Sequence, residues 1–183
     1  YKNLTKLSSI SYLKNDGITE PSCNLEDLKE NSEDLVLLTG NYKNFFGQLF
    51  YKNKLKDFEQ ILNSLKNSFK DRLYIEIQRH NENQEKNFEN YLLNISKSLK
   101  LPLIATQEIF YLNENMYEAH DALVCIGEKS FVDDKNRFRY SNQHYLKSQE
   151  ELEKLYSDIP EALENNYNFH LRFNFKPKKS KPI

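Results

Sequence analysis

The amino-acid sequence predicts an α/β fold in which helices cover a small parallel sheet. Three observations lead to this prediction. An apolar run at residues 34–40 ends in a glycine and is typical of a strand that is covered on both faces, as strands of parallel sheets are. Apolar residues recur at helical spacing at 54–69 and at 84–99. Each of these segments leads into a short apolar strand, and such alternation favours an α/β layer or barrel over a helical bundle.

The elements follow one another closely along the first 112 residues. A turn at Asn15-Asp16-Gly17 ends the first helix, and a polar loop opens at Arg79 after the second strand. Three strands are too few to close a barrel. The predicted order is a helix at 4–13, a strand at 34–40, a helix at 54–69, a strand at 73–78, a helix at 84–99 and a strand at 103–106.

The pattern becomes helical after residue 112. A helix is predicted at 114–126, and Ser148 with Glu151 forms a capping box that begins another helix. Pro160 suits the first turn of a last helix that runs toward Phe173. The chain is thus expected to divide into an α/β part at 1–112, a helical part at 113–174 and a Lys/Pro-rich linker at 175–183.

The bulk composition excludes several kinds of protein. The 26 Lys and Arg residues are balanced by 27 Asp and Glu residues, which argues against a free-standing nucleic-acid binding module. No apolar stretch approaches the ~20 residues that span a membrane, and the first residues lack the apolar segment of a signal peptide. We therefore expect a cytoplasmic protein without membrane contact. Cys23 and Cys125 have no C-x-x-C spacing and are expected to be free thiols.

Candidate functional residues lie at the predicted carboxyl ends of the strands, where α/β sheets place their binding groups. Of the four histidines, His80 is the best candidate metal ligand because it directly follows the second strand. Glu76 and Glu108 lie near the ends of adjacent strands and could bind a metal or act as a base. The alternative is that both carboxylates are partnered or solvated side chains. His144 and His170 lie in polar stretches that we expect to face the surface.

Several motifs of nucleotide chemistry are absent from the sequence. It contains no glycine-rich phosphate loop and no pair of closely spaced aspartates of the kind that holds two magnesium ions for nucleotidyl transfer. The closing lysines are interrupted by prolines, which is typical of a solvated linker. Both ends, Tyr1 and Ile183, look like cuts within a longer protein. We expect the chain alone not to polymerise DNA.

Three blocks of the sequence resemble one protein family in their order and spacing. They read L-Y-I-E-I-Q-R-H at 73–80, L-P-L-I-A-T-Q-E-I-F-Y-L at 101–112 and Y-E-A-H-D-A-L-V-C-I-G at 117–127. The family is the alpha subunit of bacterial DNA polymerase III. The resemblance implies the rear part of a PHP domain, a distorted α/β barrel whose strand ends hold divalent metals in some members. It also implies that the opening strands and the first H-x-H ligands of the barrel lie upstream of Tyr1. The chain is then expected to hold a partial barrel with an exposed sheet edge where those first strands should pair.

The block at the end of the third strand departs from the metal-binding members of the family. In those members this block reads A-T-N-D-x-H, with the Asp and the His as ligands. In this chain it reads A-T-Q-E-I-F. Glu108 stands in place of the Asp and is one methylene longer. Phe110 stands in place of the His and has no lone pair to give to a metal. The resemblance therefore leaves His80 and Glu108 as the candidate ligands of a vestigial site.

The resemblance also implies a division of roles within a longer protein. The parent is implied to carry out template-directed DNA synthesis with Mg²⁺, and to contact DNA and the other holoenzyme subunits. The PHP part is then expected to hold no cofactor and to be a scaffold and docking surface for the proofreading exonuclease (epsilon) subunit. The alternative is a metal-dependent phosphoesterase or 3′–5′ exonuclease, which would bind Zn²⁺ or Mn²⁺ if its upstream ligands were intact.

Overall fold

A computed structural model describes residues 1–176 and 178–179 of the chain. It contains eight α-helices and a three-stranded sheet within these residues. The helices are α1 (Lys2–Leu13), α2 (Leu25–Glu30), α3 (Phe45–Tyr51), α4 (Leu55–Phe69), α5 (Glu85–Leu99), α6 (Tyr117–Glu128), α7 (Gln149–Leu155) and α8 (Pro160–Phe169). Short 3₁₀ turns lie at Lys70–Arg72, Glu114–Met116 and His170–Arg172.

The sheet is parallel, as the sequence predicts. Its strands β1 (Leu37–Leu38), β2 (Leu73–Gln78) and β3 (Leu103–Thr106) lie side by side in the order β1-β2-β3. Strands β2 and β3 begin and end at the predicted residues. All three carboxyl ends therefore meet at one edge of the sheet, because the strands run in the same direction.

Strand β1 is shorter than the predicted strand at 34–40. Its beginning is lost because Asp34 has a φ of +58°, outside the extended region. Its end is lost because the chain turns at Gly40, whose φ of +79° favours glycine. The Gly40 N–H donates to the side chain of Glu76 at 2.9 Å instead of to a neighbouring strand.

Two short helices were not predicted. Helix α2 begins with a capping box in which the side chain of Asn24 accepts from the backbone of Asp27 at 2.8 Å. Helix α3 is too short to show a helical period clearly. The predicted helices agree better with the structure: α4 and α5 each begin one residue after the predicted start, and the Ser148–Glu151 capping box is present.

The hydrophobic core lies between the sheet and the helices α4 and α5. Helix α4 buries one face, because its apolar residues recur every three or four positions. Aromatic rings join the elements: Phe58 of α4 lies 4.8 Å from Phe46 and 6.5 Å from Phe88 between ring centroids. The helical part of the chain shares this core through three buried residues, Tyr156, Ile159 and Ala162.

Helix α8 covers the outer edge of β3. The Asn165 side chain donates to the carbonyl oxygen of Leu103 at 2.7 Å, and the Asn166 side chain donates to that of Ala105. These carbonyl groups face away from β2 and would otherwise be free to pair with another strand. Helix α8 therefore closes the outer edge of β3. On the outer side of β1, the described residues place no strand.

The predicted linker at 175–183 lies partly outside the described residues, which omit 177 and 180–183. Phe175 stacks on Tyr1 with ring centroids 5.1 Å apart. None of the described helices is long and apolar enough to cross a membrane.

Candidate functional site

Polar side chains at the carboxyl ends of the three strands form one hydrogen-bonded layer. Asn41 follows β1, Gln78 ends β2 and Thr106 ends β3. The Asn41 amide donates to Gln78 Oε1 at 3.0 Å, and the Gln78 amide donates to Thr106 Oγ1 at 2.8 Å. Asn41 also donates to Glu108 Oε1 at 3.2 Å. The layer brings the predicted site residues of β2 and β3 together.

Glu76 is enclosed within this layer. It is buried, and its carboxylate accepts from the Gly40 N–H at 2.9 Å, from the Gln78 amide at 3.1 Å and from the Thr106 hydroxyl. Three donors compensate the burial of the charge. Glu76 therefore fixes the turn after β1 to the neighbouring strands and is not open to a ligand.

His80 is held by both of its ring nitrogens. The side chain is buried, with 2% of the residue exposed. Its Nε2 accepts a hydrogen bond from the backbone N–H of Glu108 at 3.0 Å. A backbone N–H can only donate, so Nε2 carries a lone pair and the ring proton lies on Nδ1, 3.1 Å from Glu85 Oε1. The imidazole thus links the end of β3 to the start of α5.

Glu85 fixes the loop that carries His80. Its carboxylate accepts the backbone N–H of His80 at 2.8 Å and that of Glu82 at 3.0 Å. It lies in the first turn of α5, where the helix dipole stabilises a negative charge. Glu85 therefore sets the position and the tautomer of the His80 ring.

His144 lies directly against His80. The two imidazoles are parallel within 2°, their centroids are 4.1 Å apart, and only 1% of His144 is exposed. The surface position predicted for His144 is wrong because its segment pairs with the residues after β3. The Phe110 N–H donates to the His144 carbonyl at 2.9 Å, and the Leu146 N–H donates to the Tyr111 carbonyl at 3.0 Å. This pairing draws the ring into the site.

A second carboxylate supports the stacked imidazoles. His144 Nε2 lies 3.4 Å from Glu82 Oε1, and the same carboxylate binds Lys43 Nζ at 2.9 Å and the Tyr42 hydroxyl. Burial alone would raise the pKa of Glu82, but the hydrogen bonds from His144, Tyr42 and Lys43 outweigh it and lower the pKa to about 2. Glu82 is therefore charged at neutral pH and holds three segments of the chain together.

Phe110 continues the stack on the other side of His144. Its ring centroid lies 5.1 Å from that of His144, at an interplanar angle of 27°, and 5.3 Å from that of His120, at 7°. The Tyr140 ring packs against it at 4.6 Å. The Phe110 ring therefore stands where the family pattern has a nitrogen donor. His80, His144, Phe110 and His120 form one continuous stack of rings.

These contacts do not fit a bound metal ion. A zinc site needs about three or four ligands, each with a free lone pair. The Glu108 N–H occupies the lone pair of His80, the Asn41 amide binds one oxygen of Glu108, and Phe110 offers no donor. His144 Nδ1, without a hydrogen-bond partner among the described residues, lies 4.0 Å from the other Glu108 oxygen. Across residues 1–176 and 178–179, no three His, Cys, Asp or Glu side chains are placed to hold a metal.

Comparison with known proteins relates this site to a family. Residues 1–80 match the PHP domain family. The chain is 36% identical over all 183 residues to DNA polymerase III subunit alpha of Caulobacter vibrioides, and 34% identical over the same length to that of Rickettsia bellii. Along its whole length, the chain is similar to DNA polymerase III alpha subunits. The family resemblance of the three sequence blocks is confirmed.

The chain spans only a small part of these relatives. It covers 16% of the length of the Caulobacter vibrioides and Rickettsia bellii proteins. A further alpha subunit, from Borreliella burgdorferi, is 36% identical over 90% of the chain, which covers 14% of that protein. The PHP match ends at His80, so Glu108, Phe110 and His144 complete the site from beyond the matched segment.

Proposed function

We propose that this chain is a section of a replicative DNA polymerase subunit and serves there as a scaffold and docking module. The observation that carries the proposal is the double engagement of His80, by Glu108 at Nε2 and by Glu85 at Nδ1. The best candidate metal ligand is thereby used to join β3 to α5. A histidine whose lone pair already accepts a backbone N–H has none to give to a metal ion.

The proposal assigns each part of the chain a place in the parent protein. The parallel strands are part of a PHP-type distorted α/β barrel at 1–112, the helices at 113–174 close this region, and 175–183 is a linker toward the polymerase domain. The similarity to alpha subunits over 183 residues supports this assignment. The parent protein synthesises DNA in the cytoplasm with Mg²⁺ and with the other subunits of the holoenzyme.

The partner proposed for this section is the proofreading exonuclease (epsilon) subunit. A docking module needs a rigid scaffold, and hydrogen bonds to carboxylates hold both buried imidazoles in place beneath the surface. The alternative is a metal-dependent phosphoesterase or 3′–5′ exonuclease. It would require the backbone N–H of Glu108 to give up its hydrogen bond to His80 Nε2, so that this nitrogen could bind a metal. The geometry therefore argues against the metal-dependent alternative.

Mixing the full chain with a proofreading exonuclease subunit in the presence of EDTA tests the docking role. We expect a one-to-one complex in size-exclusion chromatography, because no metal is needed to hold the surface. The chain alone is expected to show no nuclease activity with Mn²⁺ or Zn²⁺. Absence of a complex, or a nuclease activity of the chain that His80→Ala abolishes, would contradict the proposal.

A further inference from the structure

Helix α6 carries apolar side chains on two faces. Its inner face buries Cys125 and Asp121, and the carboxylate of Asp121 binds Arg137. Its outer face carries Ala119, Leu123 and Ile126, which are four and three residues apart and so lie in one row. With the exposed Met116 of the preceding turn, these residues form the α6 stripe, of which Leu123 is 63% exposed and Ile126 is 76% exposed.

The apolar surface continues past the end of α6. Phe131 is 78% exposed and Val132 is also exposed. Scattered exposed apolar residues are normal on a soluble protein, but a row at helical spacing followed by an exposed aromatic ring is typical of an interaction site. The exposure of Met116, Leu123 and Ile126 shows that no described part of the chain covers this row.

The segment beyond α6 is held in place although its apolar side chains point outward. Arg137 donates to Asp121 Oδ1 at 2.6 Å and to the Val132 carbonyl at 3.2 Å. The Phe131 N–H donates to Asp134 Oδ2 at 2.8 Å. A surface whose backbone is already fixed loses little conformational entropy when a partner binds.

The exposed charges near the stripe are mainly negative. Across 114–139 the exposed charges are five carboxylates and three cationic groups: Glu114, Glu118, Glu128, Asp133 and Asp134 against Lys129, Lys135 and Arg139. This excess repels DNA phosphates and anionic lipids and attracts a partner with basic side chains. A row of apolar residues on a helix best fits the apolar face of another helix.

We propose that the α6 stripe is a docking surface for a basic amphipathic helix of a partner protein. This inference rests on the docking role proposed above and adds the surface and the chemistry of its partner. The apolar face of the partner helix packs on Leu123 and Ile126, and its Lys or Arg side chains lie beside Glu118 and Asp133. Burial of the apolar side chains supplies the affinity, and the charges select the partner.

Two synthetic peptides of about 18 residues, a length of about five helical turns, test this surface. Both carry Leu on one face; the other face is Lys in one peptide and Glu in the other. Fluorescence anisotropy with the full chain should give a Kd at least about tenfold lower for the Lys peptide. Leu123→Asp and Ile126→Asp should each raise that Kd by about tenfold or more, because a charge then meets the apolar face of the peptide.

Matched variants distinguish binding at this surface from nonspecific hydrophobic binding. Leu13→Asp changes another exposed helical leucine, 85% exposed on α1, and should leave the Kd unchanged. Exchange of Glu118 and Asp133 together for Lys keeps the apolar row and should reverse the preference between the peptides. The inference would be overturned if the two peptides bound with equal affinity, or if Leu13→Asp reduced the affinity for the Lys peptide as much as Leu123→Asp does. If the Lys peptide binds as expected but the exonuclease subunit does not bind the chain, the proposed docking role is contradicted and the α6 stripe is not.

Discussion

At the scale of single residues, Glu82 joins two distant segments of the site although it was not among the predicted candidates. Its carboxylate contacts Lys43 and Tyr42 from the segment before α3, and His144 from the segment before α7. It also raises the pKa of the Tyr42 hydroxyl, which burial raises first, so this hydroxyl stays a hydrogen-bond donor. These contacts make stability depend on the ionisation of one side chain.

Glu82→Gln should lower the free energy of unfolding by about 1–2 kcal/mol at pH 7. In the folded protein the pKa of Glu82 is about 2, below its ordinary value of 4.5. The ionised form therefore stabilises the fold above pH ~4.5, and this contribution is lost as the pH falls toward 2. Urea unfolding should show a smaller difference between the two proteins at pH 3 than at pH 7. An equal difference at both pH values would contradict this, and the exposed Glu118→Gln serves as control.

Sequence reasoning found one half of the candidate site and missed the other. His80 and Glu108 were found because they follow strands, and parallel strands bring their carboxyl ends together. His144 lies in an irregular segment 64 residues after His80, with no local period to indicate its burial. Glu85 did have a signal, since an acidic residue at the start of a predicted helix often binds nearby backbone N–H groups.

At the scale of elements, prediction succeeded where the hydrophobic period was long enough to be read. Helices α4 and α5 each span 15 residues and show a clear apolar row. Helix α3 has only seven residues, and β1 only two, so tertiary contacts decide their conformation. The closing of the β3 edge by Asn165 and Asn166 is likewise a tertiary feature, because asparagine carries no local signal for such a contact.

Replacing the two edge asparagines tests the role of α8. Asn165→Ala and Asn166→Ala should each lower the free energy of unfolding by about 1 kcal/mol, because a carbonyl of β3 loses its donor. The double variant should also associate more readily, since the edge then offers free carbonyls to another strand. Urea unfolding and light scattering measure the two effects. Asn168→Ala is the control, because its amide binds only within α8; an equal effect there would refute the edge-closing role.

At the scale of the whole molecule, one core and one ion-pair network join the α/β part to the helical part. Arg79, which follows β2, donates to Glu89 of α5 at 3.0 Å and to Asp158 before α8 at 2.7 Å. Its guanidinium lies 5.0 Å from the ring of the buried Tyr156. The two parts therefore support each other across residue 112, and the site between them is held from both sides.

We propose that the site at the strand ends is a structural cross-link and not a metal centre. Metal content of the full-length parent protein, measured by plasma mass spectrometry after mild chelation, tests it most directly. Because His80 already uses both ring nitrogens and Phe110 supplies no donor, we predict far less than one zinc or manganese ion per chain. We also predict the same content for wild type and His80→Ala. About one ion per chain that is retained by the wild type and lost in His80→Ala would contradict the account.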